Sequence, residues 1–272
     1  MAFCIYHGGC VDGLAAAAVV QRALGDQVEF YPGSYGKEPP SVAGKDVYIV
    51  DFSYKRGDLL KMLAEANKLV VLDHHKTAQA DLADISDPKA QIIFDMARSG
   101  AGITWDYFYP GIPRPDIITY IEDRDLWRFA YSTSKPIHHV LSLLPNDVKA
   151  WSQIFDWDIA SKKSQGEAIG EYFAGKVIQL KDLSFKAEIG GIIVPACNAP
   201  HFFASELAGA LAEGHPFAGV FSTNGKDEFW SLRSRGDGMD VSEIAKQYGG
   251  GGHRNAAGFK VPAGTFFKTL PI

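Results

Sequence analysis

The 272-residue chain has little that would place it in a membrane, in an oxidising compartment or along nucleic acid. No apolar run approaches the ~20 residues that span a bilayer. The N-terminus lacks the basic region and cleavage site of a secretory leader. Its three cysteines, Cys4, Cys10 and Cys197, are odd in number, far apart and without a Cys-x-x-Cys pair. That excludes a disulfide framework and leads us to expect a reducing cytoplasm. Positive charge is also short: 27 Lys and Arg face 32 Asp and Glu, for a net charge of −5. The sign is wrong for a protein that coats long duplex nucleic acid. The whole deficit lies before residue 186, because eight basic and eight acidic residues follow from there.

Familiar phosphate loops are missing as well. The first βα turn, His7-Gly-Gly-Cys-Val-Asp12-Gly13, has the wrong glycine spacing for a dinucleotide fingerprint. It also puts Asp12 where the phosphate would rest, and two anions meet there only with a cation between them. Gly36-Lys37 is followed by Glu38 and has Tyr31 in place of the first glycine, so it is no Walker A loop. Cys10 lacks the arginine six residues on that a cysteine phosphatase needs; Ala16 stands there.

What is present is a set of strand ends that carry acids and histidines. Apolar runs predict strands at 2–6, 28–31, 47–51, 69–73 and 91–94, alternating with helices at 13–24 and 56–67. Such βαβ order favours a parallel sheet, whose strand ends converge on one crevice. Those ends deliver His7 with Asp12, then Asp51, then Asp73-His74-His75. Carboxylate oxygens mixed with imidazole nitrogens suit divalent metals such as Mn²⁺. Asp51 has the oxygens to bridge two ions. Alternate residues of an extended chain face opposite sides, so one histidine of the triplet can hold metal while its neighbour meets substrate or is oriented by a carboxylate. Asp123 and Asp125, in Glu122-Asp-Arg-Asp-Leu-Trp127, are both candidates to complete the cluster. His138-His139 reads as surface decoration.

A helix opening at Ser99-Gly-Ala covers 103–109, mostly helical patterns run on to 185, and 162–181 forms one long helix. Strands at 186–194, 218–223 and 229–233 and helices at 204–212 and 241–248 then predict a second α+β domain. The expected layout is 1–145 for the metal-binding domain, 146–185 for a helical linker and 186–272 for a substrate-binding domain. Near the end lies Gly249-Gly-Gly-Gly-His253-Arg254-Asn255. Four glycines cost entropy to order. Successive free amides would form an anion nest, with His253 and Arg254 adding donors suited to phosphate and Arg233 a further cation.

In this combination the chain resembles the DHH–DHHA1 phosphoesterases. The resemblance is carried by the His-x-x-Cys-x-Asp-Gly loop, Asp51, Asp-His-His, Glu-Asp-Arg-Asp-Leu-Trp and the terminal Gly-Gly-Gly-His-Arg-Asn-Ala-Ala-Gly-Phe. It implies an α/β fold with a parallel-sheet DHH domain and a smaller DHHA1-like domain that closes over the substrate. It also implies two bound Mn²⁺ ions, with Mg²⁺, Co²⁺ or Zn²⁺ as substitutes. Carried over by position, His7, Asp12, Asp51, His74 and Asp123 hold metal, Asp51 bridges, and His75 sits by the substrate. His75, Arg233, Gly250, Gly251, Gly252, His253 and Arg254 form the substrate-binding set. Many members have a second acid where this chain has Cys10, whose softer sulfur suits Zn²⁺ or Fe²⁺ better than Mn²⁺; we read it as a bystander. The expected reaction is metal-assisted hydrolysis of phosphodiester or phosphomonoester bonds in small nucleotides or short oligonucleotides. Polyphosphate or pyrophosphate cleavage, and nucleotide binding without catalysis, are the alternatives. No membrane partner is expected, and oligomeric state is left open.

Overall fold

The computed structural model describes residues 2–266 and divides into two compact units, 1–170 and 171–272. The first is built on five parallel strands: β1 (Ala2–His7), β2 (Val28–Gly33), β3 (Asp46–Val50), β4 (Lys68–Asp73) and β5 (Ala90–Phe94). Their order is β2-β1-β3-β4-β5. The chain lays β2 on one side of β1 and returns to lay β3 on the other. The direction of winding therefore switches between β1 and β3, where doubly wound sheets place their ligands.

Burial explains why these runs are strands. Cys4, Ile5, Val47, Ile49, Val50 and Leu69–Leu72 are wholly buried, as central parallel strands covered on both faces must be. One face carries helix α1 (Val11–Leu24), packed with α4 (Gly100–Phe108) and α5 (Asp116–Asp125). Ala15–Ala18 of α1 are fully buried, so its slim side lies close against the sheet. The other face is covered by α2 (Arg56–Glu65) through Leu59, Met62 and Leu63. Further along lie α3 (Lys76–Leu82), α6 (Ser134–Leu141), α7 (Val148–Trp151) and the long α8 (Ile159–Lys181). His138-His139 is not surface decoration: His139 is half-buried, its Nδ1 3.2 Å from the Gly166 carbonyl oxygen.

The second unit holds a six-stranded sheet ordered β10-β11-β9-β8-β7-β6. Its strands are β6 (Phe185–Ile189), β7 (Ile192–Asn198), β8 (Ala218–Thr223), β9 (Asp227–Arg233), β10 (Gly251–His253) and β11 (Ala256–Pro262). Helices α9 (Ala204–Leu211) and α10 (Val241–Lys246) pack on it. The single strand expected over 186–194 is two strands, because Gly190 and Gly191 both take positive φ (61° and 76°) and turn the chain back. Trp230 anchors this core between Phe221 and Phe259, with ring centroids at 4.6 and 6.1 Å, and donates its indole N–H to buried Glu228. Among the described residues no helix is long and apolar enough to cross a membrane.

Candidate metal centre

The C-terminal ends of β1, β3 and β4 bring their polar residues to the β1/β3 switch point. Asp51 follows β3 directly and takes a left-handed backbone (φ 53°), an uncommon conformation for any residue with a Cβ. Its amide still extends the ladder by donating to the Leu72 carbonyl. The side chain turns into the site, 1 % exposed. A conformation held against its own preference at a polar site marks backbone shape spent on function.

His74 is the hub. Its Nε2 lies 3.0 Å from Asp51 Oδ1, 3.6 Å from Asp12 Oδ2 and 3.6 Å from Asp125 Oδ2. His7 Nδ1 faces the other Asp51 oxygen at 3.4 Å. Gly13 makes this approach possible, because a Cβ there would meet the His7 carbonyl oxygen at 2.4 Å. Asp73 has a different task. It accepts from Ser53 Oγ, from the amides of His74 and His75, and lies 2.7 Å from His75 Nδ1. It fixes the ring of His75 and stays out of the acid cluster.

Asp123 is a correction. Its carboxylate accepts the amides of Ala130 and Tyr131 and the Ser134 hydroxyl, and so ties down the loop after α5. The residue facing His74 is Asp125, two positions on. Tyr35, which the sequence reading passed over, sets its half-exposed ring edge-on to His7 and His75 at 5.4 and 6.1 Å.

The electrostatics follow from three carboxylates crowded about one imidazole. Two unit charges 4 Å apart repel by ~4 kcal/mol at an effective dielectric of about 20. Burial and the fields of Asp51 and Asp125 push Asp12 well above its ordinary pKa. Burial also raises Asp125, with Asp51 adding and His74 opposing. Asp51 goes the other way: burial opposes it, but the His7 and His74 rings beside it hold it well below the carboxylate range. For His74, burial disfavours the charged ring, yet Asp51, Asp125 and Asp12 push it up to about 10. One imidazolium cannot neutralise three acids.

The donor set fits divalent cations. Among the described residues, Asp51 Oδ2, Asp125 Oδ2 and His7 Nδ1 are buried and make no hydrogen bond. Such atoms are costly to bury unless something binds them. The donor atoms of Asp12, Asp51 and His74 lie within 4.8 Å of one another, as do those of His7, Asp51 and His75. Asp51 belongs to both groups, as a bridging carboxylate would. Cys10 joins neither group, and burial together with Asp51, Asp125 and Asp12 pushes its thiol up.

In the second unit the glycine run is not a nest of free amides. The Gly249 and Gly250 amides donate to the Lys246 and Ala245 carbonyls, and Gly251–His253 pairs with β11 as an edge strand. Gly250 lacks a side chain for reasons of space: a Cβ there would lie 2.1 Å from the Gly258 carbonyl oxygen. Arg254 donates to the Gly238 carbonyl, and Asn255 to Ser234 and Gly236. His253 pairs with Ala256, which pairs with Arg233, so His253 and Arg233 share one row across a small alanine. Arg233 is held by Ser205 Oγ and the Leu232 carbonyl.

A DHHA1 domain model matches residues 203–270, which take in this row. Residues 203–270 thus carry a DHHA1 domain, and together with the relatives below this match supports a DHH–DHHA1 phosphoesterase. Two relatives match this chain nearly end to end. The uncharacterized protein R106 of Acanthamoeba polyphaga mimivirus is 32 % identical over 93 % of this chain and 66 % of its own length. The oligoribonuclease NrnB of Bacillus subtilis (strain 168) is 24 % identical over 94 % of this chain and 72 % of its own. The chain thus spans about two-thirds to three-quarters of these relatives. A solved exopolyphosphatase-related protein from Bacteroides fragilis superposes over 99 % of this chain and 87 % of its own with a TM-score of 0.47, at 13 % identity.

Proposed function

We propose that the chain is a metal-dependent phosphoesterase that hydrolyses phosphodiester or phosphomonoester bonds of small nucleotides or short oligonucleotides. The observation that carries this reading is the set of buried oxygens on Asp51 and Asp125 without hydrogen bonds, beside Asp12, His74 and His7. These five residues would hold two divalent ions, Mn²⁺ in our reading, with Asp51 shared and Cys10 outside the cage. Divalent ions there would supply Lewis acidity towards a phosphoryl oxygen and make water a nucleophile at neutral pH.

The chain's own side chains supply the rest. His75 opposes burial with the field and hydrogen bond of Asp73, which raise its pKa. A charged His75 held by Asp73 would donate from its other nitrogen to a phosphoryl oxygen as charge develops. His253 and Arg233, in one row of the second sheet, would grip a phosphate of the substrate. The working division is 1–145 for the metal centre, 146–185 as the connecting helical segment and 186–272 for substrate. Three free cysteines support a reducing, cytoplasmic setting.

The oligoribonuclease relative favours short oligonucleotides. The test is a Mn²⁺-supplemented screen of mononucleotides, dinucleotides, cyclic dinucleotides, short RNA and polyphosphate. Turnover of di- to oligonucleotides is expected. Cleavage confined to polyphosphate, or nucleotide binding without any turnover, would overturn the reading.

A further inference from the structure

Asp12 has an unusual support. Its Oδ2 accepts the Gly100 amide at 2.6 Å and its Oδ1 the Ala101 amide at 3.0 Å, eighty-eight and eighty-nine residues away. Both amides belong to the first turn of α4, where helix N–H groups lack partners within the helix. The other two are satisfied as well: Gly102 donates to Ser99 Oγ, and Ser99 donates its own amide to Glu122 Oε2 at 2.9 Å. Each Asp12 oxygen therefore spends one lone pair on α4, and the position of α4 sets where the remaining ones point.

The same turn touches the bridging acid. A Cβ at Gly100 would lie 2.4 Å from Asp51 Cβ and 2.7 Å from its Cα, so the helix start and the left-handed corner are in direct contact. Here the chain of ion pairs matters. Glu122 is held by Arg114 at 3.0 Å and by Arg128 at 3.5 Å. Arg114 is held by Asp106, which also takes Arg98, and Arg98 pairs with Asp95. Partly exposed pairs of this kind contribute little to stability one by one. As a linked set anchored on two different helices and the loop before α4, they fix the α4 start in place.

We infer that Glu122, clamped by Arg114, is a positioning residue for the metal centre: it holds the Ser99–Gly102 turn so that the amides of Gly100 and Ala101 orient Asp12 toward the ions. Glu122 touches neither Asp12 nor His74. It acts through the α4 backbone, as partners behind metal ligands commonly do. The inference rests on the metal reading above and adds to it a residue that the ligand set does not contain.

The experiment is a Mn²⁺ titration of the full chain followed by electron paramagnetic resonance of free Mn²⁺, with melting temperature in chelator measured alongside. Glu122→Ala should bind Mn²⁺ roughly 10- to 100-fold more weakly than wild type. Glu122→Gln keeps an acceptor for the Ser99 amide and should recover most of that loss. If Glu122→Ala does not fold, Gly102→Ala serves by the same criterion, because its Cβ would lie 2.4 Å from Glu122 Oε2 and displace it. Mn²⁺ affinity within about twofold of wild type, with or without a lower melting temperature, makes Glu122 a helix cap only and overturns the proposal. Absence of Mn²⁺ binding by the wild-type chain overturns the metal reading and this proposal with it.

Discussion

The strand-end cluster and the glycine run both look functional, but the structure treats them differently. Around His74 the polar atoms are buried and several lack hydrogen bonds, while Asp51 holds a disfavoured backbone. In the glycine run the Gly249 and Gly250 amides are taken by the Lys246 and Ala245 carbonyls, Gly251–His253 pairs with β11, and packing leaves no room for a side chain at Gly250. Unsatisfied polar atoms therefore point to a ligand more directly than residue composition does. A glycine motif has to be checked against packing before it is read as a nest.

Asp51→Asn should separate the two regions most sharply. Asparagine tolerates the left-handed corner, so the fold should persist while turnover falls roughly a thousand-fold or more, the rate equivalent of several kcal/mol. Near-wild-type turnover would remove Asp51 from the centre. Ligand removal comes next. Saturating Mn²⁺ at 100 times its Kd should add ~2.7 kcal/mol to stability over chelated protein. A melting curve that ignores Mn²⁺ would contradict the donor geometry.

Asp125→Asn and Asp123→Asn form a paired test inside one helix. The first should weaken Mn²⁺ binding roughly 10-fold or more and leave chelated stability unchanged or higher. The second should cost about 1.5–3 kcal/mol of stability through its charged hydrogen bonds, with smaller effects on metal. The reverse pattern would restore the sequence-based assignment. In the second unit, Gly250→Ala should destabilise by about 1–3 kcal/mol through overpacking. His253→Ala should raise KM with Mn²⁺ affinity unchanged; loss of metal binding would put it among the ligands. Smallest of all, Cys10→Ser should leave metal content and turnover within about twofold, since its thiol joins neither donor group.

Much of the first unit was legible because its signals are local. Buried parallel strands read as unbroken apolar runs, and the acids and histidines at the ends of β1, β3 and β4 come together at the switch point. Asp123 and Asp125 could not be separated that way. Residues two apart on a helix face nearly opposite directions, so only one can reach His74, and the choice depends on which face of α5 is buried. Glu122 and Gly100 were invisible for another reason: their partners lie 23 and 88 residues away or meet them only as a steric limit. The split of 186–194 turned on Gly190-Gly191, two glycines that an apolar run had masked.

The buried indole at the centre of the second sheet has an optical consequence. Four of the five tryptophans, Trp105, Trp127, Trp151 and Trp157, lie in the first unit, and Trp230 alone lies in the second. The difference in emission between wild type and Trp230→Phe therefore isolates one chromophore, stacked on Phe221 and bonded to Glu228. That signal makes the second unit visible by itself, so its melting and any response to nucleotide can be followed without a label.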